Sequence, residues 1–267
     1  MKTCKKYFST FKLTWKQATD YRFEFIMEMV CTFIPILALI FLWREVYQGK
    51  SAIQGYSYGE MLLYVVIARF VTIMITPDFL FDVMGEVQGG TIQHYICKPI
   101  SYIRYWFMRS IGGKSRSALW SLISLVIIFT LFFRDCVDKI TPVSVICYIF
   151  VLLLSFTLYF EIAMTISLLS FWFYEISSWY YTLTFAIEFL AGGLFPLTLF
   201  PNAIQRVCNV LPFQFLIYYP TSIIVNGVNC KELLWPLCVL LTWIIIFSII
   251  LKCVWREGIK HYELIGG

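Results

Sequence analysis

Six long apolar runs set the terms for this chain. They fall at about 24 to 43, 58 to 80, 117 to 133, 142 to 172, 177 to 197 and 233 to 251, each bounded by charge, Gly or Pro. A hydrocarbon core about 30 Å thick takes about 20 mostly apolar residues per helical crossing, so each run is a candidate span. Of the 267 residues, 60% are hydrophobic and only 14% charged. A soluble domain carries about 25% charged residues, so little of the chain is left for one. The expected fold is an all-α membrane protein with six transmembrane helices.

The start, MKTCKKYFSTFKLTWKQATDY, has lysines but no apolar core of 7 to 15 residues and no small-residue cleavage site, so it reads as retained rather than as a cleaved signal. On a helical wheel Tyr7, Phe8, Phe11, Trp15 and Ala18 share one face, opposite Lys5, Ser9, Lys12, Lys16 and Asp20. Residues 1–23 are therefore expected to form an amphipathic interfacial elbow ahead of a permease-like unit over 24–267. Lys and Arg outside the spans divide fourteen to six in favour of both termini inside the cell. The net charge of +5 then faces lipid headgroups and implies no nucleic-acid partner.

Catalytic material is sparse. Gly113-Lys114-Ser115 resembles the end of a phosphate loop, but that motif needs a glycine five positions earlier, where Met108 stands, and a preceding strand. Gly112 and Gly113 read instead as a turn at the mouth of the third span, with Lys114 and Arg116 as positive-inside anchors. Nine cysteines lack a CxxC, and His94 and His261 are the only histidines, so no metal site is expected and the cysteines read as small packing residues. No G-x-S-x-G or H-E-x-x-H occurs. The chain is not expected to be an enzyme or to bind a cofactor, so any uphill transport draws on a partner or an ion gradient.

The longest inner connection, 82–116, carries Phe81, Met84, Val87 and then Ile92, Tyr95, Ile96 at helical spacing, parted by Gly89-Gly90 and ended by Pro99. A short helix across the inner face is expected there. Glu86-Val-Gln-Gly-Gly-Thr-Ile-Gln-His-Tyr-Ile-Cys-Lys-Pro-Ile-Ser101 resembles the segment after the second span in permeases of the ABC-2 family of ATP-binding-cassette transporters: an acidic residue, G-x-L, then L-x-[KR]-P-[IL]-S. Farther on, Gly192-Gly193-Leu-Phe-Pro196, Phe200-Pro201, Leu211-Pro212-Phe213 and Tyr219-Pro220 resemble that family's G-x-x-x-P, F-P and P-F series. The likeness extends over nearly the whole chain and is greatest to short permeases encoded singly.

The resemblance implies that Glu86, Gly89, Thr91, Lys98 and Pro99 belong to a coupling helix docking on a separate cytoplasmic ATPase, which holds the ATP and Mg. It also implies two ATPase copies, a second permease, identical or homologous, and a bacterial plasma membrane. By the same analogy the cargo is an exported amphiphile, such as an antimicrobial peptide, drug or lipid, and 196–230 folds into re-entrant helices on the outer side. Independently, Pro196, Pro201, Pro212 and Pro220 forbid one continuous helix, and broken helices at membrane depth need protein or a water-filled cavity around them. A lipid-linked polysaccharide exporter, an ion-coupled carrier using Arg69, Glu161 and Glu188, and a polytopic enzyme stay open as alternatives.

Arg69, in LLYVVIARFVTIMI, costs about 2.5 to 3.5 kcal/mol at the bilayer centre and calls for a partner. It lies about 16 Å along its span from Tyr58, and Glu188 lies about 16 Å along its own from Ser177 in the opposite direction, so the two are expected at similar depth. Glu161, about 28 Å from Pro142, falls near the level of Asp78 instead. The aromatic cluster from Phe171 to Tyr181 reads as an interfacial belt or as a stacking surface for an aromatic cargo.

Overall fold

The computed structural model describes residues 2–20, 22–96, 99–132, 141–227 and 230–266. Helix dominates: α1 (Lys2–Asp20), α2 (Arg22–Val46), α3 (Tyr58–Ile75), α4 (Leu80–Gln88), α5 (Gln93–Ile96), α6 (Tyr102–Phe132), α7 (Pro142–Leu168), α8 (Ser177–Leu190), α9 (Asn202–Val210), α10 (Tyr218–Val225) and α11 (Cys230–Gly266). A hairpin of β1 (Ala52–Ile53) and β2 (Tyr56–Ser57) separates α2 from α3. Its two turn residues, Gln54 and Gly55, both have positive φ, as the mirror-image turns of tight hairpins require. Ser57 and Glu60 then form a reciprocal capping box that starts α3.

α3 is the central helix. Met61, Leu63 through Ala68, Phe70, Val71 and Ile75 are all buried, as befits a helix apolar on every side. The main core gathers α2, α7, α10 and α11 around it. Among the described residues three helical stretches are long and apolar enough to cross a membrane, Tyr58–Gln88, Pro142–Phe171 and Leu233–Tyr262. The first is 56% buried over its apolar window and the last 11%, so α11 lines the outside of the chain.

Several sequence expectations are corrected. α3 stops at Ile75, not near 80, because Pro77 follows and drives the chain out of helix. α6 runs unbroken from 102 through Gly112 and Gly113, where a turn was expected before a span at 117. Gly112 is instead a packing site for α1: a Cβ there would stand 3.0 Å from the Phe11 carbonyl and 3.1 Å from Thr14 Cβ. The backbone of α1 at Phe11 thus lies against α6, while the Phe8 ring is exposed. α8 ends at Leu190, well before 197. Its 14 residues span about 21 Å, less than a full crossing.

Candidate functional site

Three places carry polar chemistry within this apolar frame. The first is the bend from α4 to α6. Leu80, Val83 and Val87 of α4 face inward, one residue off the expected Phe81, Met84, Val87 stripe, and Phe81 turns outward to meet the ring of Tyr181 at 5.9 Å. Gly89 ends α4 and Gly90 takes a left-handed φ of 74°, reversing the chain into α5. Ile92 plugs the bend, fully buried.

Glu86 holds the bend together. Its carbonyl accepts from Ile92 N at 3.0 Å, and its carboxylate accepts from the Tyr95 and Tyr102 hydroxyls at 3.2 and 2.7 Å. Burial pushes the pKa of both tyrosine hydroxyls well above the ordinary phenol value, with the neighbouring carboxylate adding to the effect. Both phenols therefore stay protonated and donate. Thr91, Gln93, His94 and Pro99 point outward around this fixed centre, beside an open groove of about 590 Å³ between α1 and the bend. Lys98 lies outside the described residues.

The bend is braced from both ends of the chain. Tyr7 of α1 accepts from Ser101 N at 2.9 Å. Tyr262 of α11 donates to the Gly90 carbonyl and accepts from Gln93 Nε2, each at 3.2 Å. Lys114 and Arg109, one expected to anchor in headgroups and the other counted only as inner charge, pair with Asp78 at 2.6 Å and Asp82 at 3.2 Å. Arg109 also lies 4.5 Å over the Trp106 ring.

The second place is inside the bundle. Arg69 Nη1 lies 2.9 Å from Glu188 Oε1, both side chains about a quarter exposed. Glu161 is separate: it is buried on α7 and accepts from Ser248 of α11, while its other carboxylate oxygen has no hydrogen-bond partner. Arg69 pairs with Glu188 and Asp78 with Lys114, and neither pair includes Glu161.

The third place follows α8. Gly192 adopts φ of 78° and its carbonyl accepts from the Tyr64 hydroxyl at 2.7 Å, while Tyr218 N donates to the Ala191 carbonyl at 2.8 Å. Gly193 sits where a Cβ would fall 2.8 Å from Glu188 Cγ. Each proline of the tract opens or interrupts a short piece: Pro196 precedes a 3₁₀ turn, Pro201 precedes α9, Pro212 opens another turn and Pro220 lies in the first turn of α10. α10 returns into the core between α3 and α7, and Ser155 donates to the Phe215 carbonyl at 2.6 Å. Protein thus covers the later part of this broken backbone, from Pro212 to Val225, whereas α9 is exposed apart from Gln205 and Cys208.

The family model described as ABC-2 family transporter protein matches residues 33–266. The chain belongs to the ABC-2 family. It is therefore a multi-pass membrane component of an ATP-binding-cassette transporter, a family whose members work with an ATPase subunit. A search of curated proteins gives no significant match. In this ABC-2 protein the bend from α4 to α6 and the tract after α8 both lie within the matched residues.

Some of these groups escape sequence reading. Trp255, Gly258 and Tyr262 of α11 form a stripe with Leu251 at spacings of three and four, the only sign in the sequence that this helix continues as a packed element beyond its apolar run. The aromatic cluster after α7 divides: Phe171 and Tyr180 are buried, whereas Tyr174 and Trp179 are among the most exposed rings.

Proposed function

We propose that this chain is the six-span permease subunit of an ATP-driven exporter of an amphiphilic cargo, with both termini in the cytoplasm. A separate ATPase, in two copies, docks on Glu86 to Pro99, and a second permease completes the pathway. Closure of the ATPases on ATP pushes the bend and rocks the spans between inward and outward states. The observation that carries this reading is the build of the bend: a compact platform with Glu86 fixing its interior and exposed Thr91, Gln93 and His94 outside it. Such a surface can transmit force because it is stiff behind and free in front.

The Arg69–Glu188 pair is assigned to span packing along the path, and the tract from Gly192 to Pro220 to closure of its outer end. The amphiphilic cargo rests on family analogy.

Purification in mild detergent from the native host, with co-eluting subunits identified by mass spectrometry, tests the reading. An ATPase should accompany the native chain and be lost with Gly89→Trp and Thr91→Trp, both at exposed positions. Retention of the ATPase by both variants places docking elsewhere. Absence of any ATPase removes the exporter reading.

A further inference from the structure

α11 is 37 residues long, about 55 Å, whereas a hydrocarbon core is about 30 Å thick. Its apolar run ends at Leu251, and the remaining turns are too polar to be a span. They are nonetheless packed. Trp255 stacks on Tyr102 with centroids 5.0 Å apart and planes 12° from parallel. Phe171 fills the space at Gly258 and meets the rings of both Trp255 and Tyr262 edge-on. The stripe ends at Tyr262, whose hydroxyl is bonded to Gly90 and Gln93 on either side of the left-handed turn.

Trp255 joins α11 to α6, and Phe171 joins it to the end of α7. Among the described hydrogen bonds, those of Tyr262 alone run directly from α11 to the turn between α4 and α5. They grip that turn at Gly90, which holds a positive φ and against which the Tyr262 hydroxyl lies. The opposite side of the bend is held by Glu86, through Tyr102, on α6. The bend is thus connected to α6 through Tyr102, to α7 through the core that Val83, Val87 and Ile92 share with it, and to α11 by the hydrogen bonds of Tyr262.

We infer that the C-terminal extension of α11 is a transmission strut and that Tyr262 is its positioning residue, carrying displacement of the 86–96 bend directly into the last long helix. This inference rests on the proposal that the bend receives the ATPase. A displacement of Gly90 draws Tyr262 with it, and the Phe171 ring against Gly258 prevents the extension from yielding sideways.

Hydrogen exchange with mass-spectrometric readout on the intact permease–ATPase complex, with and without ATP and vanadate, tests it. In the native complex, trapping should alter exchange in residues 86–96 and also in 252–262. With Tyr262→Phe the change in 86–96 should persist and that in 252–262 should be lost. Gln93→Leu, which removes one of the two bonds and leaves the aromatic packing untouched, should reduce the 252–262 change. Tyr7→Phe, on the other brace, should leave it intact. An unaltered change in 252–262 with both Tyr262→Phe and Gln93→Leu overturns the strut. If trapping leaves 86–96 unchanged in the native complex, the docking proposal fails instead, so the two failures are told apart.

Discussion

Arg69 on α3 and Glu188 on α8 meet at 2.9 Å across 119 residues of sequence, joining the central helix to the shortest of the long helices. Each residue lies eleven positions from the start of its own helix. The pair is partly open, so its Coulomb energy is screened more than that of a fully buried one. Isolating either charge still costs on the order of 1–3 kcal/mol, below the 3–5 kcal/mol of a buried pair. Arg69→Glu and Glu188→Arg should each lower the thermal midpoint in detergent, and the double exchange should recover at least half the loss. Additive losses in the double variant count against a direct pair.

Tyr95 and Tyr102 predict an alkaline weakness. Their pKa values are raised in the folded bend, so above about pH 10 the unfolded chain releases protons that the folded one keeps. Stability is complete below that pH and declines as pH rises through the shifted values. The thermal midpoint should fall between about pH 9 and 11 in the native chain and fall less in the Tyr95→Phe, Tyr102→Phe double variant. Equal slopes in both would show that the two phenols do not govern the decline.

Gly258→Ala has opposing terms. In an exposed helix the change stabilises by about 1 kcal/mol. Here the new methyl would lie 2.3 Å from Phe171 Cδ2, and overpacking of that kind costs about 1–3 kcal/mol. Net destabilisation is expected, relieved when Phe171→Leu is added. A neutral single variant would mean that the ring moves aside freely.

Gly192 combines a left-handed backbone with tight surroundings. Alanine there meets both the αL penalty of about 1–2 kcal/mol and the Tyr64 hydroxyl at 2.8 Å. Tyr64→Phe removes a bond worth about 1 kcal/mol but frees that space. Gly192→Ala should therefore be the more damaging single change in urea unfolding, and Tyr64→Phe should recover part of its loss. Equal effects of the two single changes would argue against the clash.

Much of this was legible because the chemistry of a membrane is severe. Apolar runs, Ser57-x-x-Glu60 and Thr141-Pro142 each mark helix starts by a simple physical demand. Helix ends were less legible. Pro77 ends α3 early because the residue before a proline avoids helix, and α8 stops at Leu190, just ahead of a left-handed Gly192 whose carbonyl accepts from the distant Tyr64 hydroxyl. Gly112 looked like a break when read alone, yet its missing side chain is what lets α1 approach. The α4 stripe was misplaced by one residue since 80, 83, 87 and 81, 84, 87 are equally apolar. Tyr262 is illegible for another reason: nothing within α11 reveals that a turn some 170 residues away presents its hydroxyl with the Gly90 carbonyl.

The bonds around Gly192 restrict how the bundle can deform. Tyr64 ties the end of α8 to α3, Tyr218 ties it to the start of α10, and Ser155 ties the approach to α10 to α7. Four helices thus share one joint. Tilting α8 alone breaks its bonds to Tyr64 and Tyr218; tilting α3, α7, α8 and α10 together strains none of the three. The chain therefore has fewer independent degrees of freedom than its helices suggest, since α3, α7, α8 and α10 are tied to one another by these bonds.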